Sequence, residues 1–231
     1  MKKKEEATKA NLRDAPDKSD GQVFVTLDET TYVQGIEVVC RLDPDLADIQ
    51  RKYGPPPIWA REPGFATLVK IILEQQVSLS SAQAAFNRLG EMVSPLTPEG
   101  LLQLDDATLK AYGFSRQKTG YARGLAQDIL SGRLDVNALG NMDDDTVRIA
   151  LMKIKGIGLW SADIYLLMVL KRADVWPRGD LALATLMMRV KRLQTIPSQE
   201  EMNEISRAWQ PWRAVAARFL WHDYLSRNGK G

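Results

Sequence analysis

The chain has 231 residues, 45% of them hydrophobic, and a formal net charge of +2. That length allows a sizeable core in one large domain or two small lobes, and the charge alone marks no nucleic-acid partner. A single cysteine, Cys40, excludes a disulfide framework and any four-cysteine iron–sulfur cluster. Residues 1–10 are charged with no apolar run after them, and the longest apolar run, Ile164 to Leu170, is far too short for a bilayer. No signal peptide or membrane span is predicted, and a cytoplasmic protein is expected.

Met1 to Asp20 mixes Lys, Glu and Asp with few apolar residues and reads as a disordered tail. Val23 to Leu27 suits a short strand, with nothing nearby to pair with it. Tyr32, Ile36, Val39 and Cys40 predict a helix over 30–41, and Pro44 suits the first turn of another, to about Tyr53. Gly54-Pro55-Pro56-Pro57 is the clearest linker. Phe65, Leu68, Ile71 and Ile72 mark a buried helix face, and Ala82, Ala85, Phe86 and Leu89 mark the next. Thr97-Pro98, Asp105-Asp106 and Ser115 read as successive helix starts, the last ahead of Tyr121, Leu125, Ile129 and Leu130. The similar strings at 104–109 and 142–147 are ordinary capping sequences and imply no repeat.

A helix over 146–152 follows three aspartates, then Gly156 and Gly158 turn the chain, and the next helix begins near Trp160 or Ser161. Asp180 precedes a helix over 181–193, and helices over 198–209 and 211–226 close the chain. With strand signals almost absent, the fold class is all-α. The glycine turn leaves backbone N–H groups beside the positive end of a helix, a place that accepts phosphate, and Lys153 and Lys155 add charge there. By spacing alone a helical connector is the plainer reading of the glycines. Charge is asymmetric too: residues 1–145 carry 17 basic against 22 acidic side chains, whereas 146–231 carry 14 against 7. The positive excess falls on the part holding the turn, as a phosphate-backbone footprint would; solvated helix faces are the other reading.

Ile154-Lys155-Gly156-Ile157-Gly158 with Trp160-Ser161-Ala162, then Val175-Trp176-Pro177 and Asp180-Leu181, resembles the helix-hairpin-helix DNA glycosylases, within them the 3-methyladenine DNA glycosylase II group. Glu74-Gln75-Gln76-Val77-Ser78 is similar to a second block of that family, and Pro211-Trp212-Arg213 with Trp221 to a third; the resemblance covers roughly 42–225. It implies a helical lobe over 58–172 containing the hairpin and a C-terminal helical lobe over 173–231 that the segment 21–57 joins. The damaged base would sit in the cleft between them. The extra mixed α/β domain of larger members is not expected.

The resemblance assigns Asp180 as the catalytic carboxylate, near enough to the sugar to stabilise an oxocarbenium-like transition state and to orient water. From the residues alone, Asp180 is equally a cap for the helix at Leu181. Trp160 stands where bifunctional relatives carry a lysine nucleophile, which implies a monofunctional enzyme that leaves an abasic site. Trp160 and Trp221 match pocket tryptophans whose faces attract cationic alkylpurines; core packing is the plainer reading of any single Trp. Gln75 and Gln76 lie where the family inserts into the gap left by the flipped base, and Asp163 is a candidate site contact. Ile164 stands where some relatives have a pocket tyrosine, which opens the pocket. Lys155, Gly156, Ile157, Gly158 and Ser161 are the implied DNA contacts. Asp174 is assigned to holding the loop; Trp59, Trp209 and Trp212 are read as packing, His222 as structural or exposed, and Trp176 is left open. The implied partner is double-stranded DNA with alkylated bases, bound by a monomer without metal, cofactor or membrane. The alternatives are a non-enzymatic DNA-binding protein that uses the hairpin alone, and a lyase-active glycosylase, which Trp160 opposes.

Overall fold

The computed structural model describes residues 24–227 and Gly229; the tail expected over 1–20, and Val23 at the head of the candidate strand, lie outside the described residues. Among those described there are twelve α-helices and no named strand. The N-terminal pair is α1 (Glu29–Leu42) and α2 (Pro44–Tyr53). Next come α3 (Phe65–Glu74), α4 (Leu79–Met92), α5 (Pro98–Gln103), α6 (Asp106–Ala111) and α7 (Arg116–Leu130). After a 3₁₀ turn, Ala138–Asn141, follow α8 (Asp144–Met152) and α9 (Leu159–Met168). The chain closes with α10 (Leu181–Lys191), α11 (Gln199–Arg207) and α12 (Arg213–Arg227). No described helix is long and apolar enough to cross a membrane.

Polar caps set most of these starts. Thr97, Asp105, Ser115 and Asp143 accept backbone N–H bonds at the heads of α5 to α8, and Asp28 and Ser198 complete capping boxes for α1 and α11. Each such side chain satisfies amides that the helix itself cannot. The helices then fall into two packed groups. α3 to α9 form one, through α5 on α7, α3 on α4, α7 and α9, and α8 on α9; α1, α2, α10, α11 and α12 form the other. Residues 161–167 of α9 are all buried, so this helix sits in the core.

The segment before α1 is tied to the far end of α9. Leu27 N donates to Lys171 O at 2.7 Å, Ala173 N donates to Val25 O at 2.9 Å, and Thr26 forms an isolated bridge with Arg172. The candidate strand is thus one bridge to a partner far along the sequence. The second group is stitched by Asp43, which caps α2 and accepts from Lys191 Nζ at 2.5 and 2.6 Å and from Trp209 Nε1 at 2.7 Å. Arg218 of α12, fully buried, donates to Ile58 O at 2.8 Å, Ala214 O at 3.0 Å and Leu167 O at 2.8 Å. It joins the coil before α3 to both groups; burial, with no carboxylate beside it, pushes its guanidinium down to about 10.

Candidate active site

The hairpin between α8 and α9 is anchored by Ile154 and Ile157, both buried. Gly156 has φ +93°, and a Cβ there would lie 2.2 to 2.7 Å from the Tyr121 ring, so backbone and packing both require glycine. Gly158 caps α9 with no side chain in the way. Among the described residues the amides of Gly156 and Gly158 make no hydrogen bond, and Lys153 and Lys155 are exposed beside them. Two of the expected DNA contacts have partners within the chain. The Ile157 amide donates to Ile154 O at 3.0 Å, and its side chain is buried. Ser161 is buried as well, its Oγ accepting from Gln75 Nε2 at 2.9 Å.

Gln75 also donates to Gly156 O at 2.8 Å. Its amide therefore binds the end of α3 to the hairpin, beside the exposed Gln76. Gln76 is exposed with φ +57°, a left-handed backbone unusual for this residue type, and turns the chain toward Val77 and Leu79.

The loop from α9 to α10 is pinned at two carboxylates. Asp163, with no exposure, accepts from Arg148 Nε at 2.7 Å and from the Arg178 amide and Nε at 3.2 and 3.0 Å. Those partners give Asp163 a structural role, and it does not border the cavity. Asp174 takes both arms of Arg213, at 2.8 and 3.0 Å, which holds the loop to α12.

The loop ends on Asp180. Its Oδ1 accepts from Leu183 N at 2.8 Å, capping α10, and its Oδ2 accepts from Trp160 Nε1 at 3.0 Å. A carboxylate has about four acceptor sites, so two remain, and Asp180 is only half-buried. It borders a cavity of about 530 Å³ between the two helix groups. α9 contributes Trp160, Ile164 and Met168, α10 Ala182 and Leu186, and α12 Trp221, Tyr224 and Leu225. α3 and the coil before it add Trp59, Arg61, Lys70 and Glu74, and Val77 and Leu79, both exposed, edge it. The size is within the range of pockets for small-molecule ligands.

Residues 69–211 match the HhH-GPD superfamily base excision DNA repair proteins, well over half of the chain, from α3 through the hairpin and Asp180 to the turn before α12. The chain belongs to this superfamily. One HhH-GPD relative, a putative DNA-3-methyladenine glycosylase of Bacillus subtilis, is 29% identical over 165 residues, 68% of this chain and 58% of that one. The chain therefore spans just over half the length of that relative. The structure is similar to a Schizosaccharomyces pombe 3-methyladenine DNA glycosylase in complex with abasic DNA, with TM-score 0.75 and 26% identity over 81% of this chain and 95% of that one. It is similar too to a DNA-3-methyladenine glycosidase of Bacillus halodurans, with TM-score 0.70 and 28% identity over 90% of this chain and 95% of that one.

Within this HhH-GPD fold the structure joins three of the residues singled out from sequence, Asp180, Trp160 and Trp221, at one cavity. It adds Trp59, read from sequence as packing, which reaches the cavity from a coil residue with φ +44°. Arg61, Lys70 and Glu74 were also missed; only their nearness to Gln75-Gln76 could have pointed to them. Trp209 and Trp212 do pack, the latter against Gly35 of α1. Trp176 is buried against Trp209, ring centroids 5.6 Å apart, and His222 is buried with Nε2 3.3 Å from Tyr53 O.

Proposed function

We propose that this protein is a monofunctional DNA glycosylase that hydrolyses the N-glycosidic bond of alkylated purines in duplex DNA and leaves an abasic site. One observation carries the reading: the Asp180 carboxylate, fixed by the Leu183 amide and the Trp160 indole, borders a cavity walled by tryptophans. The named relatives of the two preceding comparisons, described as acting on 3-methyladenine, support the substrate class.

A base reaches such a pocket only by leaving the stack, which costs a few kcal/mol, about the scale known for flipping, and least where pairing is already damaged. The exposed hairpin amides and lysines hold the backbone while this happens. In the pocket, the faces of Trp59, Trp160 and Trp221 attract a purine made cationic by alkylation. That base is already a good leaving group, so a strong general acid is not required. As the bond to C1′ lengthens, positive charge grows on the sugar, and the free lone pairs of Asp180 stabilise it and orient the attacking water. By the resemblance, Trp160 occupies the hairpin position at which bifunctional relatives carry the lysine whose amine attacks C1′. The water adds to C1′, the base leaves with the bonding electrons, and the strand stays intact.

Asp180→Asn keeps the size and loses the charge. The expected outcome is loss of base release by about a thousandfold or more, the scale for removing a group that stabilises transition-state charge, with binding to damaged DNA retained. Turnover kept by this variant would remove Asp180 from the mechanism.

A further inference from the structure

Asp180 and Ala182 both border the cavity, and Leu181 stands between them at the head of α10. Its side chain is 80% exposed, the most exposed large apolar group among the described residues. A single leucine in water is ordinary on a protein surface; the place of this one is not. α10 buries Leu183, Ala184, Leu186, Met187 and Val190 and exposes Thr185 and Arg189, one and two turns on from residue 181. The outer face of the helix is therefore polar, and Leu181 breaks that pattern at the end nearest the cavity. From the other helix group, the turn between α3 and α4 brings Val77 and Leu79, both exposed, to the same cavity.

If Asp180 acts on DNA, the duplex must come to Leu181. Asp180 has to stand beside C1′ of the flipped nucleotide, and the next Cα is about 3.8 Å away, close to the rise of about 3.4 Å per base along one strand. Leu181 is then within about one or two base steps of the place that the base has left. Flipping takes stacking from the neighbours of that base, and apolar side chains placed between base steps are a means of holding a duplex open. Of the two glutamines expected at the gap, Gln75 is bonded to Gly156 O and Ser161 Oγ, and Gln76 is polar. Neither supplies that apolar surface.

We propose that Leu181 is an apolar wedge that enters the base stack beside the lesion and keeps the flipped nucleotide from returning. Its side chain covers the face of a neighbouring base that the flipped one has uncovered, while Asp180, one residue earlier, meets the sugar. The inference rests on the glycosylase reading and deepens it, naming a contact that the enzyme makes with the duplex and not with the excised base.

Duplex DNA with a tetrahydrofuran abasic site tests this without turnover, with 2-aminopurine as the neighbouring base on the 5′ side in one duplex and on the 3′ side in another. 2-Aminopurine brightens as it loses stacking, so saturating wild-type protein is expected to raise the fluorescence of at least one duplex. Leu181→Ala, and Leu181→Gln, which is as long but polar, should lose most of that rise. Both should also lower the ratio of duplex to single-strand affinity for the abasic site by about tenfold, the scale of losing a leucine's apolar burial. Leu181→Met should keep both signals. No rise with the wild type, a rise that Leu181→Ala does not move, or an affinity ratio left unchanged overturns the inference. The glycosylase reading is judged apart, by base release from alkylated duplex: release by the wild type leaves it standing when the fluorescence result is negative, and no release overturns it whatever Leu181 does. An exposed side chain is replaced in each variant, and an unfolding midpoint in urea equal to that of the wild type confirms that the loss is not one of fold.

Discussion

Asp180 and Trp160 share one hydrogen bond, which leaves the cap of α10 compatible with the proposed site role of Asp180. The same carboxylate starts α10 with one oxygen and meets the indole with the other. Trp221 has a simpler position, half-buried in the cavity wall. If it holds a cationic base by its face, Trp221→Ala should slow release of a cationic methylpurine about thirtyfold more than release of neutral hypoxanthine, since a desolvated cation–π contact contributes about 2 kcal/mol. Equal losses measured by single-turnover release would make it a packing residue. At this scale the sequence was informative where a residue type is unusual for its place: a carboxylate after Pro177-Arg178-Gly179, and a tryptophan just past a glycine turn. It was silent on Trp59, whose left-handed backbone swings it from a proline-rich coil into the cavity. It could not show that Asp163 and Ser161 are buried with partners of their own, because a buried polar residue and an exposed one look alike until the partners are placed.

The hairpin shows what glycine spacing can and cannot tell. The positive φ of Gly156 follows from the turn, but the ring of Tyr121 against it comes from α7, more than thirty positions earlier, and no local pattern reveals that. Gly156→Ala must strain the backbone and displace the ring together. A loss of at least about 1–2 kcal/mol is expected from the backbone alone, read as a lower midpoint in urea, with weaker binding to undamaged DNA. A variant as stable and as tightly binding as the wild type would show that the hairpin is an ordinary connector. Gln75 belongs to the same element. By bonding Gly156 O and Ser161 Oγ it sets the hairpin against α3, so one of the two glutamines read as gap-filling is part of the frame. Helix starts at Pro44, Pro98, Asp106 and Arg116 were legible, because a cap and the amides it serves are neighbours in sequence; the pairing of Val25–Leu27 with 171–173 was not, because its two sides are far apart.

Across the whole molecule, the segment before α3 packs with α10 and α12 through Asp43, Lys191 and Trp209, so the first and last parts of the chain face α9 together. The cavity lies where the two helix groups meet, and the basic excess lies in residues 146–231, the part that carries the hairpin. Phosphate contacts release counterions, so binding should weaken about a hundredfold between about 50 and about 200 mM salt if about four phosphates are neutralised. A flat response in a titration of duplex DNA would detach the basic half from DNA binding. The charge split was readable in the sequence, whereas the meeting of the groups at one cavity needed the fold. The most direct test of the central claim is base release from alkylated duplex DNA with no added metal or cofactor, with the strand examined before and after alkali. Free methylpurine, with breaks appearing only after alkali, is the predicted result; tight binding without release, or breaks before alkali, would contradict a monofunctional glycosylase.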